Sequence, residues 1–336
     1  MIQAQSVCNI CLEPAKVSKT IQGYQERTYY DVLHCEQCDT SFIKNDTGAE
    51  TDLIYDLIYS HGSQVPGYDR YYTYADKVLE ENNPLNYLAN TEDMYWAIAD
   101  CIKKKIITKE MKLIEVGCGL GYLSYALHEN GFNIKGVDIS EKAIGKAKQK
   151  YGDYYKCVDI HEIVREGKER FDIILLTEVI EHVTAPVDFI RALSKLLSPG
   201  GKIIVTTPNK SAYPSQVSWD TELPPVHYYW FSEKSIRTIA AQLKLTYRFV
   251  DFSHFNRDHL DRTKFSRYTE PKRDPILSST GEILNQKPKT KKEIISQLLM
   301  KLNLMRTFSW LWIGLKASKE NWHRRQTMCV ILSNEL

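Results

Sequence analysis

Between residues 112 and 207, short apolar runs alternate with helix-length amphipathic stretches, and each run has a glycine, an acid or a proline at or beside its end. The runs at 112–116, 133–139, 154–160, 171–177 and 202–207 read as strands, and 120–130, 141–151 and 186–197 read as helices. A further helix is expected at 232–242, opened by a Ser232 cap. Two late runs, 245–252 and 328–333, bring the strand total to seven. Alternating strand and helix units dictate an α/β fold, a doubly wound and mostly parallel seven-stranded sheet. An amphipathic helix is expected over 85–107, with a short helix near 52–59 in otherwise irregular chain.

Ligands of such sheets sit beyond the carboxyl ends of the strands. The first strand runs into Glu115-Val-Gly-Cys-Gly-Leu-Gly121, where three alternate glycines allow backbone to approach a ligand closely. Asp138 closes the second strand, where a carboxylate can accept two hydrogen bonds from a ribose diol. Asp159 closes the third, within reach of an exocyclic amine, and Glu178 follows the fourth. Glu115 can help hold an ammonium group. An acidic rim of this kind attracts a positively charged ligand and repels a pyrophosphate.

A second constraint lies upstream. Cys8-x2-Cys11 and Cys35-x2-Cys38 are separated by 23 residues, and two such knuckles present four thiolates to one tetrahedral ion. The expected ion is a structural Zn2+, because all four positions are filled by protein and none stays open for chemistry. The other four cysteines, at 101, 118, 157 and 329, read as small buried apolar residues.

The motifs EVGCGLG at 115–121, VDIS at 137–140, FDIILLTEVIEHV at 171–183, LSPGGKIIVTTPN at 197–209 and HYYWFS at 227–232 together resemble the class I S-adenosylmethionine-dependent methyltransferases. The resemblance implies a Rossmann-like methyltransferase fold with S-adenosylmethionine as cofactor. It places Glu115, Gly117, Gly119 and Gly121 near the methionine part, Asp138 and Ile139 at the ribose, Asp159 and Ile160 at the adenine, and Glu178 beside the transferable methyl. Methyl transfer to a hydroxyl requires removal of a proton; His182, after the fourth strand, and His227, in a Pro-Pro-Val-His loop, are the candidate bases, with Glu178 a third catalytic candidate. A four-cysteine zinc ribbon ahead of this fold is similar to deoxysugar methyltransferases, so a sugar, nucleotide-sugar or related small molecule is the expected acceptor. The expected layout is a zinc-binding module at 1–45, a Tyr-rich connector or lid at 46–84 and a methyltransferase domain at 85–336.

The remaining features are less specific. Eleven of 21 tyrosines precede residue 100, and the Tyr68–Tyr74 run reads either as a lid over the acceptor or as packing between the zinc module and the main domain. Residues 256–325 carry 16 Lys/Arg against 7 Asp/Glu in a chain of net charge +2, and they form a basic insertion between the last two strands. Within it, 291–315 reads as a helix packed on its own domain, as a dimer contact or as a peripheral membrane contact. RNA methylation, with the zinc module and insertion gripping nucleic acid, is the alternative enzymatic reading; a non-catalytic binding module is the other. No apolar run approaches the roughly 18 residues of a membrane span and no secretory pattern opens the chain, so the cytoplasm is the expected compartment. Composition does not indicate an oligomeric state.

Overall fold

The computed structural model describes residues 6–44, 48–65, 67–212, 223–258, 275–284 and 322–335. The segment 291–315, and with it the proposed membrane or dimer contact, lies outside the described residues, as does most of the basic insertion. Among the described residues no helix is long and apolar enough to cross a membrane.

Among the described residues twelve strands form two sheets. The N-terminal ribbon contains β1 (Ser6–Val7), β2 (Pro14–Gln22), β3 (Tyr29–Cys35) and β4 (Thr40–Ile43). The second sheet contains β5 (Lys112–Val116), β6 (Asn133–Asp138), β7 (Tyr155–Cys157), β8 (Phe171–Thr177), β9 (Leu197–Pro208), β11 (Leu245–Phe249) and β12 (Thr327–Asn334). Its order is β11-β12-β9-β8-β5-β6-β7. The pairs among β5 to β9 are parallel, and β12 is antiparallel to both of its neighbours. This is the doubly wound, mostly parallel seven-stranded sheet expected from the sequence.

Strands buried on both faces are apolar at nearly every position. Ile114, Ile174, Leu176, Ile203 and Val205 pack on one face with helices α7 (Ile160–Glu166), α8 (Pro186–Ser194) and α9 (Glu233–Gln242) and with the ribbon. Their neighbours Leu113, Ile173, Leu175 and Ile204 pack on the other face against α3 (Pro84–Thr91), α4 (Asp93–Lys103) and α5 (Tyr122–Glu129). The period-two alternation of a strand assigns each residue to its side.

The ribbon is stitched into the main domain. Strand β10 (Tyr229–Trp230) pairs antiparallel with β4, Tyr229 opposite Phe42 and Trp230 opposite Ser41. Thr40 Oγ1 donates to Ser235 Oγ at 2.8 Å, and Lys210 Nζ to Asp39 Oδ1 at 2.8 Å. Ser235 belongs to the capping box of α9, so the second cysteine knuckle is bolted to a helix N-terminus of the other sheet.

Four local expectations differ from the structure. The single helix expected over 85–107 is two: Asn83 caps α3, Pro84 opens it, and Glu92 is extended (φ −135°, ψ 148°) between α3 and α4. Glu92 is held there by Arg70 at 3.2 Å and by the Tyr74 hydroxyl at 2.8 Å. The connector holds two helices, α1 (Gly48–His61) and α2 (Asp69–Lys77). Ser198 to Gly201, expected as a turn, lies within β9, and the preceding helix stops at Ser194. Cys157 is exposed, whereas Cys101, Cys118 and Cys329 are buried as expected.

Candidate active site and metal centre

The carboxyl ends of β5 to β9 open into a cavity of about 1150 Å³. Helices α1 and α2 roof it with Tyr55, Tyr59, Tyr68 and Tyr71, and the segment 226–228 closes one side. The Tyr68–Tyr74 run touches both the cavity and the ribbon. Tyr71 lines the cavity, while the hydroxyls of Tyr68 and Tyr24, the latter in the ribbon, meet at 3.0 Å.

The glycine turn and Asp138 form one unit. Asp138 is buried; its Oδ2 accepts from the Gly119 amide at 2.9 Å and its Oδ1 from the Ser140 amide at 2.9 Å. Burial raises its pKa and these backbone amides lower it again. Ile139 is 77% exposed, unusual for so apolar a residue, and it lines the cavity with buried Ile160. Asp159 lines the same wall and caps α7, accepting from the His161 amide at 2.8 Å. Glu115 is only 3% exposed; Ser124 Oγ donates to it at 2.5 Å, and burial pushes its carboxyl up to about 8.

The glycines divide by role. Gly117 and Gly119 line the cavity, Gly117 with Val179 packed against it. Gly121 does not line it. It caps α5 at φ +80°, and an added Cβ would lie 2.6 Å from Tyr155 Cε1 and 2.8 Å from Ala147 Cβ. Packing of protein on protein, rather than approach to a ligand, explains this glycine. Gly121→Ala is therefore expected to lower stability by more than about 2 kcal/mol through left-handed strain and overpacking. Gly119→Ala, at φ +51° and with its Cβ meeting only Tyr59 Oη at 3.8 Å, carries the left-handed strain without the overpacking, so it should lower the melting temperature less than Gly121→Ala while weakening ligand binding. Thermal denaturation beside calorimetric titration of both variants checks the contrast.

Glu178, Glu181, His182 and His227 line the same cavity. Glu178 adopts φ +54°, its amide donates to Thr206, and its Oε1 is buried with no hydrogen-bond partner. Burial, with Glu181 nearby, raises its carboxyl well above the usual range. Glu181 Oε2 accepts from Thr207 Oγ1 at 2.9 Å, and its Oε1 lies 3.9 Å from His182 Nε2. His182 Nδ1 lies 2.7 Å from the Val226 carbonyl, to which it donates, so the neutral ring keeps its lone pair on Nε2. The His182 and His227 rings meet edge to face with centroids 4.4 Å apart. Burial pushes His182 down to about 4, and burial with the neighbouring His182 pushes His227 well below the usual imidazole range.

Sequence reasoning singled out Glu178, His182 and His227 but missed Glu181. The signal was present as an acid three residues after Glu178 and directly before His182, on the tight 180–182 turn.

At the ribbon, Cys8 and Cys38 sulfurs are 3.5 Å apart and Cys11 and Cys35 sulfurs 3.4 Å apart, with all four within 4.8 Å of one another. Zn–S bonds of about 2.3 Å separate tetrahedral sulfurs by about 3.8 Å, so the set fits zinc with little movement. Burial and the neighbouring thiols push Cys11 up to about 11; a divalent cation is what would let such a crowded set exist as thiolates.

Comparison with known proteins places this architecture. Residues 93–248 match the family described as a methyltransferase domain. The ubiquinone biosynthesis O-methyltransferase of Coxiella burnetii is 40% identical over 115 residues, 33% of this chain and 49% of that protein. The protein of the same name from Dechloromonas aromatica is 34% identical over 119 residues, 33% of this chain and 50% of that protein. The chain thus spans about half the length of these relatives. Among solved structures, an S-adenosylmethionine-dependent methyltransferase from Mesorhizobium loti is 15% identical, with 73% of this chain and 99% of that one covered and a TM-score of 0.43.

Proposed function

We propose that this chain, whose residues 93–248 belong to the methyltransferase-domain family, transfers a methyl group from S-adenosylmethionine to a hydroxyl of a small-molecule acceptor. The observation that carries the reading is the shared cavity, which is lined both by the Gly119–Asp138 unit and by Glu178, His182 and His227. When bound, the cofactor would supply an activated methyl on a sulfonium. Asp138 would accept from the ribose hydroxyls, Ile139 and Ile160 would flank the nucleoside, Asp159 would meet the adenine edge, and Glu115 would lie toward the ammonium. The tyrosine roof would exclude water and offer flat faces to a ring-shaped acceptor.

In the transfer, the acceptor hydroxyl loses its proton, its oxygen bonds to the methyl carbon, and the carbon–sulfur bond breaks with its electron pair left on sulfur. His182 Nε2 is the lone pair available to the entering hydroxyl, since Nδ1 is committed to Val226. Hydroxyl methylation also suits the relatives, which are named as O-methyltransferases. A sugar or nucleotide-sugar acceptor suggested by the ribbon, and a hydroxylated aromatic ring suggested by those relatives, are the two acceptor types to assay first. Calorimetry with S-adenosylmethionine, followed by methyl transfer to both acceptor types, tests the reading; a protein that binds no cofactor would refute it.

Glu115 adds a measurable signature. With its carboxyl at about 8 in the free protein, it is mostly protonated at pH 7, and a nearby ammonium favours the carboxylate. Cofactor binding should therefore release protons near pH 7 and tighten as pH rises from 6 to 8. Titrations in two buffers of different ionisation enthalpy would read this directly; equal heats in both would remove Glu115 from the ammonium site.

A further inference from the structure

We propose that Arg70 and Tyr71 form a subsite for an anionic group of the acceptor, a carboxylate or a phosphate, at the roof of the cavity. This rests on the methyl-transfer reading above and narrows its acceptor class. Both residues line the cavity and belong to the first turn of α2. The guanidinium is fixed from behind. Its Nε lies 3.2 Å from Glu92 Oε1, its Nη2 donates to the Tyr71 hydroxyl at 2.9 Å, and its carbon lies 4.8 Å from the centre of the Tyr71 ring. These contacts set the plane of the fork without using all of it. Arginine has five N–H donors, and among the described residues Nη1 meets no acceptor.

Tyr71 adds a second donor. Its oxygen accepts from Arg70, so its own O–H is left to donate, and among the described residues that proton has no recipient. Two unused donors, one of them cationic, thus sit side by side on a cavity wall. Donors withdrawn from water without partners are costly, and the oxygens of one ligand anion satisfy both. Forked, charge-assisted contacts of this kind are how arginine recognises carboxylate and phosphate. Tyr71 also lies within electrostatic reach of Glu178, the residue placed beside the transferable methyl, which puts the donor pair on the side where an acceptor enters.

The charges around the cavity leave Arg70 as its open cation. Among the described residues only one other Lys or Arg lines it, Lys142, which donates to Asp56 and to Ser60 Oγ. The two acids at the α3–α4 junction are already answered, Glu92 by Arg70 and by the Tyr74 hydroxyl at 2.8 Å, Asp93 by Arg325 at 3.3 Å. Burial raises the Glu178 carboxyl well above the usual range, which reduces the negative charge near Tyr71. Space is not limiting either. At about 1150 Å³ the cavity exceeds the roughly 300–1000 Å³ of a site for one drug-sized ligand, so a cofactor and an acceptor with a charged substituent fit together.

The test uses the full chain with its knuckle zinc in place, with and without S-adenosylhomocysteine. Two pairs of probes differ only in the anionic group: 3,4-dihydroxybenzoate with catechol, and glucose 1-phosphate with glucose. Calorimetry should give a Kd at least about tenfold lower for the charged member of one pair, and the pair that shows it identifies the anion. Tyr71→Phe removes one donor and leaves Arg70 on Glu92, so it should reduce the preference. Arg70→Gln should abolish it, and Arg70→Lys should restore part of it. Should Arg70→Gln lose its fold once Glu92 is released, Tyr71→Phe still decides. Equal affinities within both pairs, no binding by either charged probe, or a preference that survives both substitutions overturns the subsite. A loss of S-adenosylmethionine affinity as large as the loss for the charged probe also overturns it, by assigning the two donors to the cofactor's carboxylate. A protein that shows the preference but binds no S-adenosylmethionine keeps the subsite and refutes the methyl-transfer reading.

Discussion

Replacing Cys35 with serine is expected to abolish zinc binding by the four-cysteine cluster and, on the methyl-transfer reading, nearly all turnover. Metal binding by small cysteine sites contributes about 10–16 kcal/mol of folding free energy, as much as the whole stability of many domains. Within the ribbon β2 is mostly exposed along its length, so the packing left without the metal is that of β3 and β4. The damage should not stay local. β4 carries β10 as its neighbour, the Ile43 amide donates to the Tyr228 carbonyl at 3.0 Å, and Phe42 stacks on Tyr229 with centroids 6.1 Å apart. His227 directly precedes this stretch. Loss of the ribbon frees the segment that carries it, and a displacement of about 1 Å at a reacting group can cost about 100-fold in rate. Amide exchange should rise at 40–43 and 228–231 together, while the Gly119–Asp138 wall, built by the other sheet, still takes up cofactor. A metal-free variant with protected 228–231 amides and normal turnover would refute this coupling.

Asp138→Ala should weaken S-adenosylmethionine binding by about 1–3 kcal/mol, roughly 5- to 150-fold in Kd. Two effects add. The ribose loses its charged acceptor, and the Gly119 and Ser140 amides lose the carboxylate that fixes the turn. Asp138→Asn separates them. Its amide keeps one acceptor oxygen but turns an N–H toward a backbone N–H, so it should recover only part of the affinity. Calorimetric Kd values for the three proteins give the answer, and an Ala variant with unchanged affinity would end the ribose assignment.

The parts of the fold that were readable from sequence are those governed by local chemistry. Continuous apolar strands, Ser caps and paired CxxC turns announce themselves within a few residues, and they yielded the sheet, the four-cysteine cluster and the strand-end residues of the cavity. What escaped reading depends on distant partners. β10 is two residues long and is a strand only because β4 lies beside it. Glu92 breaks an otherwise helical pattern because Arg70 and Tyr74 hold it extended. Helix α2 was hidden by the glycines and proline just before it, although its tyrosines recur at helical spacing and pack edge to face, Tyr68 on Tyr71 and Tyr71 on Tyr74. Gly121 looked like a ligand contact because its motif does not reveal that Tyr155 and Ala147 arrive from two other elements.

The placement of β12 bears on how the polypeptide is made. It inserts between β9 and β11, pairing with 202–208 of the first and the whole of the second, yet it comes after residue 326 in synthesis. While the chain is still emerging from the ribosome, β9 therefore presents a long, apolar, unsatisfied edge, and β11 has nothing to hydrogen-bond. Bare edges of this sort recruit strands from other molecules. The protein's yield in a cell should thus depend on chaperone occupancy during translation, and truncations that remove the last strand should accumulate as aggregates rather than as smaller folded domains.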